Sequence, residues 1–247
     1  MGSPRPMQRL NHMLAATALA VAPLPVWAGP PYETDDPQPT EKGKWEVYAF
    51  GTREGAGDAF GGSYGVDLNY GPVEGVQLTA TLPMTYENGI GSAVGDVEIG
   101  VKYRFIHNEA AGIDVAIFPR VILPTAGKGF GTGRVSVLLP VWAQKTFGPW
   151  AVFGGGGYKI NPGIGQRDFA TASIALTRTL SDRLSLGIEA SRTGPEAVDA
   201  RATTSLGLGG IYKLNNHVAL LFAGGPGFED GTRAARYHLY GALGFQF

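Results

Sequence analysis

The chain has 247 residues, a formal net charge of −1, 44% hydrophobic residues and no cysteine. Without thiols neither a disulfide framework nor a thiolate metal or redox centre can form, and the near-neutral balance offers no basic patch for nucleic acid. Glycine is abundant, at 38 residues, but it is interleaved with aromatic and β-branched residues and does not collect with Ser and Gln, which argues against disorder.

Arg5 and Arg9 precede a short apolar run, Met13 to Val21, which is followed by Val26-Trp27-Ala28. That order is a secretory signal peptide over 1–28, and the run is too short to span a membrane as a helix. An amphipathic N-terminal helix is the plainer alternative. Cleavage after Ala28 removes two arginines and no acid, taking the charge from −1 to −3. Residues 29–42 (GPPYETDDPQPTEK) then read as an extended, solvated periplasmic lead-in. Its Glu33, Asp35 and Asp36 are ligand types for a hard cation, although such a cluster is more often a solvated linker.

From 43 to 247 the period is two. Strands are predicted at 43–53, 62–71, 75–86, 95–106, 112–123, 134–146, 149–160, 169–180, 183–193, 202–214, 217–225 and 235–247. In the second, Tyr64, Val66, Leu68 and Tyr70 oppose Ser63, Gly65, Asp67 and Asn69. In the third, Val76, Leu78, Ala80 and Leu82 oppose Gln77, Thr79 and Thr81. In the fourth, Val97, Ile99, Val101, Tyr103 and Phe105 oppose Glu98, Lys102 and Arg104. Such alternation defines strands with one apolar and one polar face. Their lengths match the ~9–11 tilted residues that cross a bilayer.

Short connections (GPVEG, FGP, SDR, NN, and a slightly longer HNEAAG) alternate with long Gly- and Asp-rich ones such as EGAGDAFG, AGKGFGTG and GPGFEDGTRA. That asymmetry predicts an all-β, antiparallel up-and-down transmembrane barrel of about twelve strands, with both termini at the short-turn, periplasmic side. After the signal no apolar run approaches the ~18 residues of a membrane helix. A soluble sandwich is the competing architecture, with its apolar face turned inward. Trp45, Tyr64, Tyr70, Tyr86, Tyr103, Trp150, Tyr158, Tyr212 and Tyr237 fall mostly near strand ends, the depth where amphipathic rings favour the lipid interface. Tyr237, Leu239, Leu243, Phe245 and the final Phe247 share one face. This pattern resembles the C-terminal signature of bacterial outer-membrane barrels, which implies the barrel-assembly machinery as a partner and Phe247 as the assembly signal.

GPPYETDDPQPTEKGKWEVY after the expected cleavage site, and GDVEIGVKYRF at 95–105, resemble the family described as "putative MetA-pathway of phenol degradation". The resemblance implies an exported Gram-negative outer-membrane barrel with a transporter-like role. It implies location and fold more firmly than substrate.

By the same alternation Asp67, Glu98, Lys102, Arg104, Asp114, Arg120, Arg134, Arg178, Glu189 and Lys213 are placed in the lumen. They form either a charged constriction selecting small polar or anionic solutes or a set of opposite charges that pair and plug the interior. Phe118, Ile122, Leu138, Trp142 and Phe153 lie on the presumed inner face of neighbouring strands. They read as an apolar track for aromatic compounds. Alternatively a bulge at Pro119 or Pro140 turns some of them to lipid, or the N-terminal segment packs against them. GKGFGTGR (127–134) and GGGG (154–157) lack the Lys-Ser/Thr and helix of a phosphate loop. Neither His107, His217 nor His238 has a converging nucleophile and orienter, so no enzyme, cofactor or metal is expected. The resulting expectation is an outer-membrane channel for small, hydrophobic or aromatic solutes. The runner-up is a structural or surface-interaction barrel with a blocked lumen, and a lipid-modifying enzyme is a distant third.

Overall fold

The computed structural model describes residues 31–232 and 235–247, so the expected signal peptide lies outside the described residues. The strands are β1 (Trp45–Ala56), β2 (Ala59–Val73), β3 (Val76–Glu87), β4 (Gly91–Val94), β5 (Val97–Asn108), β6 (Ile113–Ile117) and β7 (Arg120–Leu123). They continue as β8 (Ser136–Phe147), β9 (Trp150–Ile160), β10 (Phe169–Ser181), β11 (Leu184–Thr193), β12 (Thr203–Lys213), β13 (Val218–Glu229) and β14 (Ala235–Gln246). Neighbours pair antiparallel throughout, and β1 pairs with β14 from Glu46↔Gln246 to Ala56↔Arg236. The sheet therefore closes into a barrel of twelve crossings with two extra strands. Closure leaves no unpaired edge, which in hydrocarbon costs several kcal/mol per group.

The two extra strands have local causes. The short β4 extends the β3 hairpin at the long-loop end. β6 and β7 are one crossing interrupted at Phe118-Pro119, where proline offers no N–H to the ladder. The break does not change parity. Ala116 pairs with Trp142, while Ile122 pairs with Glu98 and Ser136, so inward residues face inward residues on both sides of it. At Gly155 a side chain would collide with the Val141 carbonyl and the Trp142 ring, so the glycines of β9 permit close strand approach.

Burial is inverted relative to a soluble protein. Leu78, Leu82, Ile99, Ile174, Ile188, Leu208, Leu239 and Leu243 are exposed on the outside, Leu208 at 63%. Glu46, Asn69, Gln77, Thr79, Lys102, Asp114, Glu189 and Gln246 are buried within. An apolar belt of this extent is stable only against an apolar solvent. Trp45 stacks on Tyr70 at 4.7 Å at the short-turn end, and Tyr64 lies 6.4 Å from Tyr86 towards the other rim. In the last crossing Leu239, Leu243, Phe245 and Phe247 are all exposed.

The long-loop end is tied by Arg192, which donates to Asp230 at 2.5 Å, and by Arg201, which donates to the Asp230 carbonyl at 2.9 Å. The Arg192 guanidinium holds the Asp230 carboxyl below the usual carboxylate range. Leu208→Arg, at the middle of the outer belt, is expected to destabilise the barrel in lipid vesicles by about 2–4 kcal/mol. Denaturant titration checks this, and an unchanged midpoint would contradict the lipid-facing assignment.

Candidate functional site

The lumen is occupied by a segment of the chain itself. Instead of a solvated lead-in, the structure shows residues 32–40 running through the barrel, with Thr34 at 0% and Thr40 at 2% exposure and Asp36 buried. This corrects the expectation, and the reason is donor satisfaction. Pro37 and Pro39 have no N–H to satisfy, and the N–H groups of Glu33, Thr34, Asp36, Gln38 and Thr40 each find a side-chain acceptor. A segment so equipped crosses a polar interior without strand pairing.

Its path is fixed residue by residue. Next to β1, Lys42 bridges Gly71. Thr40 then donates to Gln77 Oε1 through N (2.8 Å) and Oγ1 (3.1 Å). Gln77 in turn donates to Asn69 at 2.7 Å, and Asp67 accepts from Thr81 at 3.0 Å. Gln38 donates to Asp114 at 2.8 Å and accepts from Arg104 at 2.5 Å. Asp35 bridges two cations: Lys102 Nζ at 2.9 Å and Arg120 Nη2 at 3.2 Å. Asp36 lies 3.9 Å from the same ammonium. Beyond the crossing, Thr34 donates to Glu189 through N (3.1 Å) and Oγ1 (3.0 Å), and Glu33 accepts from Ser191. Tyr32 ends the path, its ring 6.2 Å from Phe153 and packed on Gly187 and Gly209, where any added side chain would strike it. That glycine pair, matched across β11 and β12, is the ring's seat.

Most of the residues assigned to the lumen therefore line it. Asp67, Glu98, Lys102, Arg104, Asp114, Arg120 and Glu189 all do, and they divide between two kinds of partner. Arg120 reaches Glu98 at 3.3 Å and Arg104 reaches Asp114 at 3.6 Å across the wall. Lys102 and Glu189 are held by the lead-in. Two assignments are corrected. Arg178 stands on the outside: β10 turns Phe169, Ala175 and Thr177 inward, so Arg178 faces out at the rim, 5.1 Å from the Trp150 ring, where a long side chain keeps its charge in water. Arg134 lies in the exposed loop before β8, which begins at Ser136.

Phe118, Ile122, Leu138, Trp142 and Phe153 all face inward, and Phe118, Trp142 and Phe153 are buried. The lead-in covers part of this wall through the Tyr32–Phe153 contact. Lys102 and Arg120 lie over Phe118, 5.0 and 4.2 Å from the ring centroid, a cation–π arrangement. A second inward apolar group, Tyr48, Ala219, Leu221 and Ala242, packs together inside the barrel near the short turns. It is readable in the parity of Tyr48 and Phe50 with Glu46. Two voids flank the lead-in. One of about 420 Å³ at the long-loop end is lined by Glu33, Glu54, Glu196, Arg236 and His238. Another of about 320 Å³ is lined by Asp35, Asn69, Thr79, Lys102, Phe118 and Arg120.

Asp35 and Asp36 share the Lys102 ammonium while Glu33 goes to Ser191, and no group of three metal-ligand side chains occurs among the described residues. His107 lies on β5 against Asp114 at 2.5 Å, and His217 contacts the Gln246 carbonyl at 3.0 Å.

These features define a closed twelve-crossing barrel whose lumen holds a segment of its own chain. The chain belongs to the family described as "Putative MetA-pathway of phenol degradation", whose profile matches residues 32–240. Among solved structures it is similar to the COG4313 outer membrane channel from Pseudomonas putida F1, at 17% identity and TM-score 0.71, over 86% of this chain and 98% of that one. It is also similar to the KdgM porin (10% identity, TM-score 0.57, 82% and 99% covered). A third likeness is to the translocator domain of autotransporter NalP from Neisseria meningitidis (12%, 0.54, 82% and 87%). At these identities the likeness is one of fold. No curated protein sequence matches the chain.

Because the chain lacks cysteine, a thiol placed at Thr34 reports on the lead-in alone. Thr34→Cys is expected to be protected in the native protein. Adding Lys102→Met leaves Asp35 and Asp36 without their ammonium, a loss on the order of 3–5 kcal/mol for a broken buried pair, and is expected to raise the labelling rate at least tenfold. Equal rates in the two backgrounds would contradict the role given to Lys102.

Proposed function

We propose that this chain is a Gram-negative outer-membrane channel for small solutes of aromatic or hydrophobic character, held closed in this state by its own lead-in. One observation carries the reading: the segment filling the lumen is bound by side chains and not woven into the sheet. Between Tyr32 and Thr40 its hydrogen bonds and ion pairs go to residues on β3, β5, β6, β7 and β11. Such a stopper can leave while every strand ladder stays intact. A twelve-strand barrel lies between those filled by their own side chains and wide porins, so its removal leaves a narrow passage.

The passage has two unlike sides. Phe118, Ile122, Leu138, Trp142 and Phe153 supply an apolar one, suited to a ring, and the family's description points to phenolic compounds. Lys102, Arg104 and Arg120 supply a cationic one. In this reading the short turns face the periplasm, from which the lead-in enters. The signal peptide over 1–28 delivers the chain, and the barrel-assembly machinery recognises the outward Leu243, Phe245 and Phe247. Lipid surrounds the belt. A surface-interaction barrel with a permanently blocked lumen is the second reading, favoured by the packed Tyr48–Leu221–Ala242 group.

Planar bilayers separate the two. Excising 31–40 is expected to raise single-channel conductance at least tenfold over the native barrel, and a silent excised barrel would favour the second reading. In cells expressing the protein, Phe118→Ser with Trp142→Ser is expected to slow uptake of an apolar aromatic solute at least threefold while ion conductance is kept. Unchanged uptake by the folded variant would reject the apolar side as a track.

A further inference from the structure

We propose that the Lys102–Arg120 pair, occupied here by Asp35, is a subsite for small organic monocarboxylates, and that a solute carboxylate takes the place of Asp35 there during passage. The inference rests on the channel reading and names its solute class.

Three observations converge on it. First, Lys102 is 1% exposed, and the hydrogen bonds of its ammonium go to the lead-in: Asp35 Oδ1 at 2.9 Å and the Gln38 carbonyl at 3.3 Å. When the lead-in withdraws, the wall leaves this charge unpaired, and an unpaired buried charge is strongly unfavourable. The vacancy selects an anion over a neutral or cationic molecule.

Second, the geometry is that of a carboxylate cradle. The two oxygens of Asp35 are divided between the cations, Oδ1 to Lys102 and Oδ2 to Arg120 at 3.2 Å. Charge-assisted contacts of this kind are stronger than neutral hydrogen bonds. A free carboxylate group has the same two oxygens at the same spacing.

Third, the cradle has room and a floor for an organic body. The Phe118 ring lies beneath both cations, and the adjoining void of about 320 Å³ continues past Asn69 and Thr79, within the ~300–1,000 Å³ range of small-ligand pockets. The remaining acids on this wall already have partners. Glu98 pairs with Arg120 at 3.3 Å, and Asp67 accepts from Asn69 and Thr81. Lys102, whose ion pairs go to the lead-in acids Asp35 and Asp36, is thus the cation a solute carboxylate would meet, and the Glu98 and Asp67 carboxylates that line the same void disfavour a dianion.

The full-length variant Asp35→Ala/Asp36→Ala vacates the cradle. Calorimetric titration compares benzoate with benzyl alcohol and benzylamine, which are similar in size and differ in charge. Benzoate is expected to bind the variant at least tenfold more tightly than it binds the native protein, and at least tenfold more tightly than the other two probes bind the variant. Adding Lys102→Met is expected to abolish that gain. Equal binding of the three probes, or a gain that survives Lys102→Met, overturns the subsite. Potassium chloride conductance of the vacated variant tests the channel reading separately. A conducting barrel with no benzoate preference sinks the subsite alone, whereas a silent barrel sinks the channel reading and the transport role with it.

Should the double variant fail to fold, the Thr34→Cys protein gives the same decision with Asp35 and Asp36 intact. Benzoate is expected to speed its thiol labelling at least threefold, and an effect no larger than that of benzylamine overturns the proposal.

Discussion

A lysine ammonium with 1% of its side chain exposed, in the middle of a membrane-type barrel, is the group on which the interior depends. A charge so placed is tolerated only when paired and hydrogen-bonded. Here the pairing groups come from outside the wall: Asp35, Asp36 and the Gln38 carbonyl. The same logic repeats at Glu189, whose carboxylate accepts from Glu33 and Thr34 of the lead-in. Wall and stopper are thus complementary in charge on one side and in donors on the other. The lead-in is placed by electrostatics and hydrogen bonding, with the Tyr32 ring on its glycine seat as the apolar anchor.

The barrel makes this possible by doing the opposite of a soluble fold. Its oily belt faces outward, and beside the two inward apolar groups the interior carries many polar side chains that must be satisfied locally. Near the short turns it does so within the wall. Tyr48 donates to Glu46 at 2.8 Å, and Gln246 donates to the same carboxylate at 3.1 Å. At mid-height the wall alone is insufficient, and there the lead-in completes it. In the proposed channel reading, this is the segment that a solute of matching charge replaces.

The fold was legible because period-two alternation is a local property. Tyr64, Val66, Leu68 and Tyr70 against Asp67 and Asn69 state both the strand and its outward face, and the loop asymmetry adds the order. The inward direction of Phe118, Trp142 and Phe153 was readable too, since the Phe118-Pro119 break keeps parity. Arg178 departs from the expected lumen placement, because β10 turns Phe169, Ala175 and Thr177 inward. Counting from Phe169 puts it outside, at a rim where arginine is readily accommodated. Arg134 was misplaced because the eighth strand starts two residues later than the pattern implied. The lead-in was the larger miss. An acidic, proline-rich segment reads as solvated when viewed alone, and only its partners, distant in sequence (Glu189 is 155 residues from Thr34), show otherwise. The available signal was complementarity: lysine and arginine on β5 and β7 beside acids without an obvious role in the lead-in.

The most direct test is a double-mutant cycle between Asp35 and Lys102, read as channel open probability in planar bilayers. Asp35→Asn and Lys102→Met should each raise it sharply, because each removes the nearest ion pair between the lead-in and the wall. Together they should raise it much less than the product of the two effects, with a coupling of at least about 1.5 kcal/mol. Effects that multiply within about 0.5 kcal/mol, the behaviour of independent sites, would show that the ion pair does not hold the segment in the lumen.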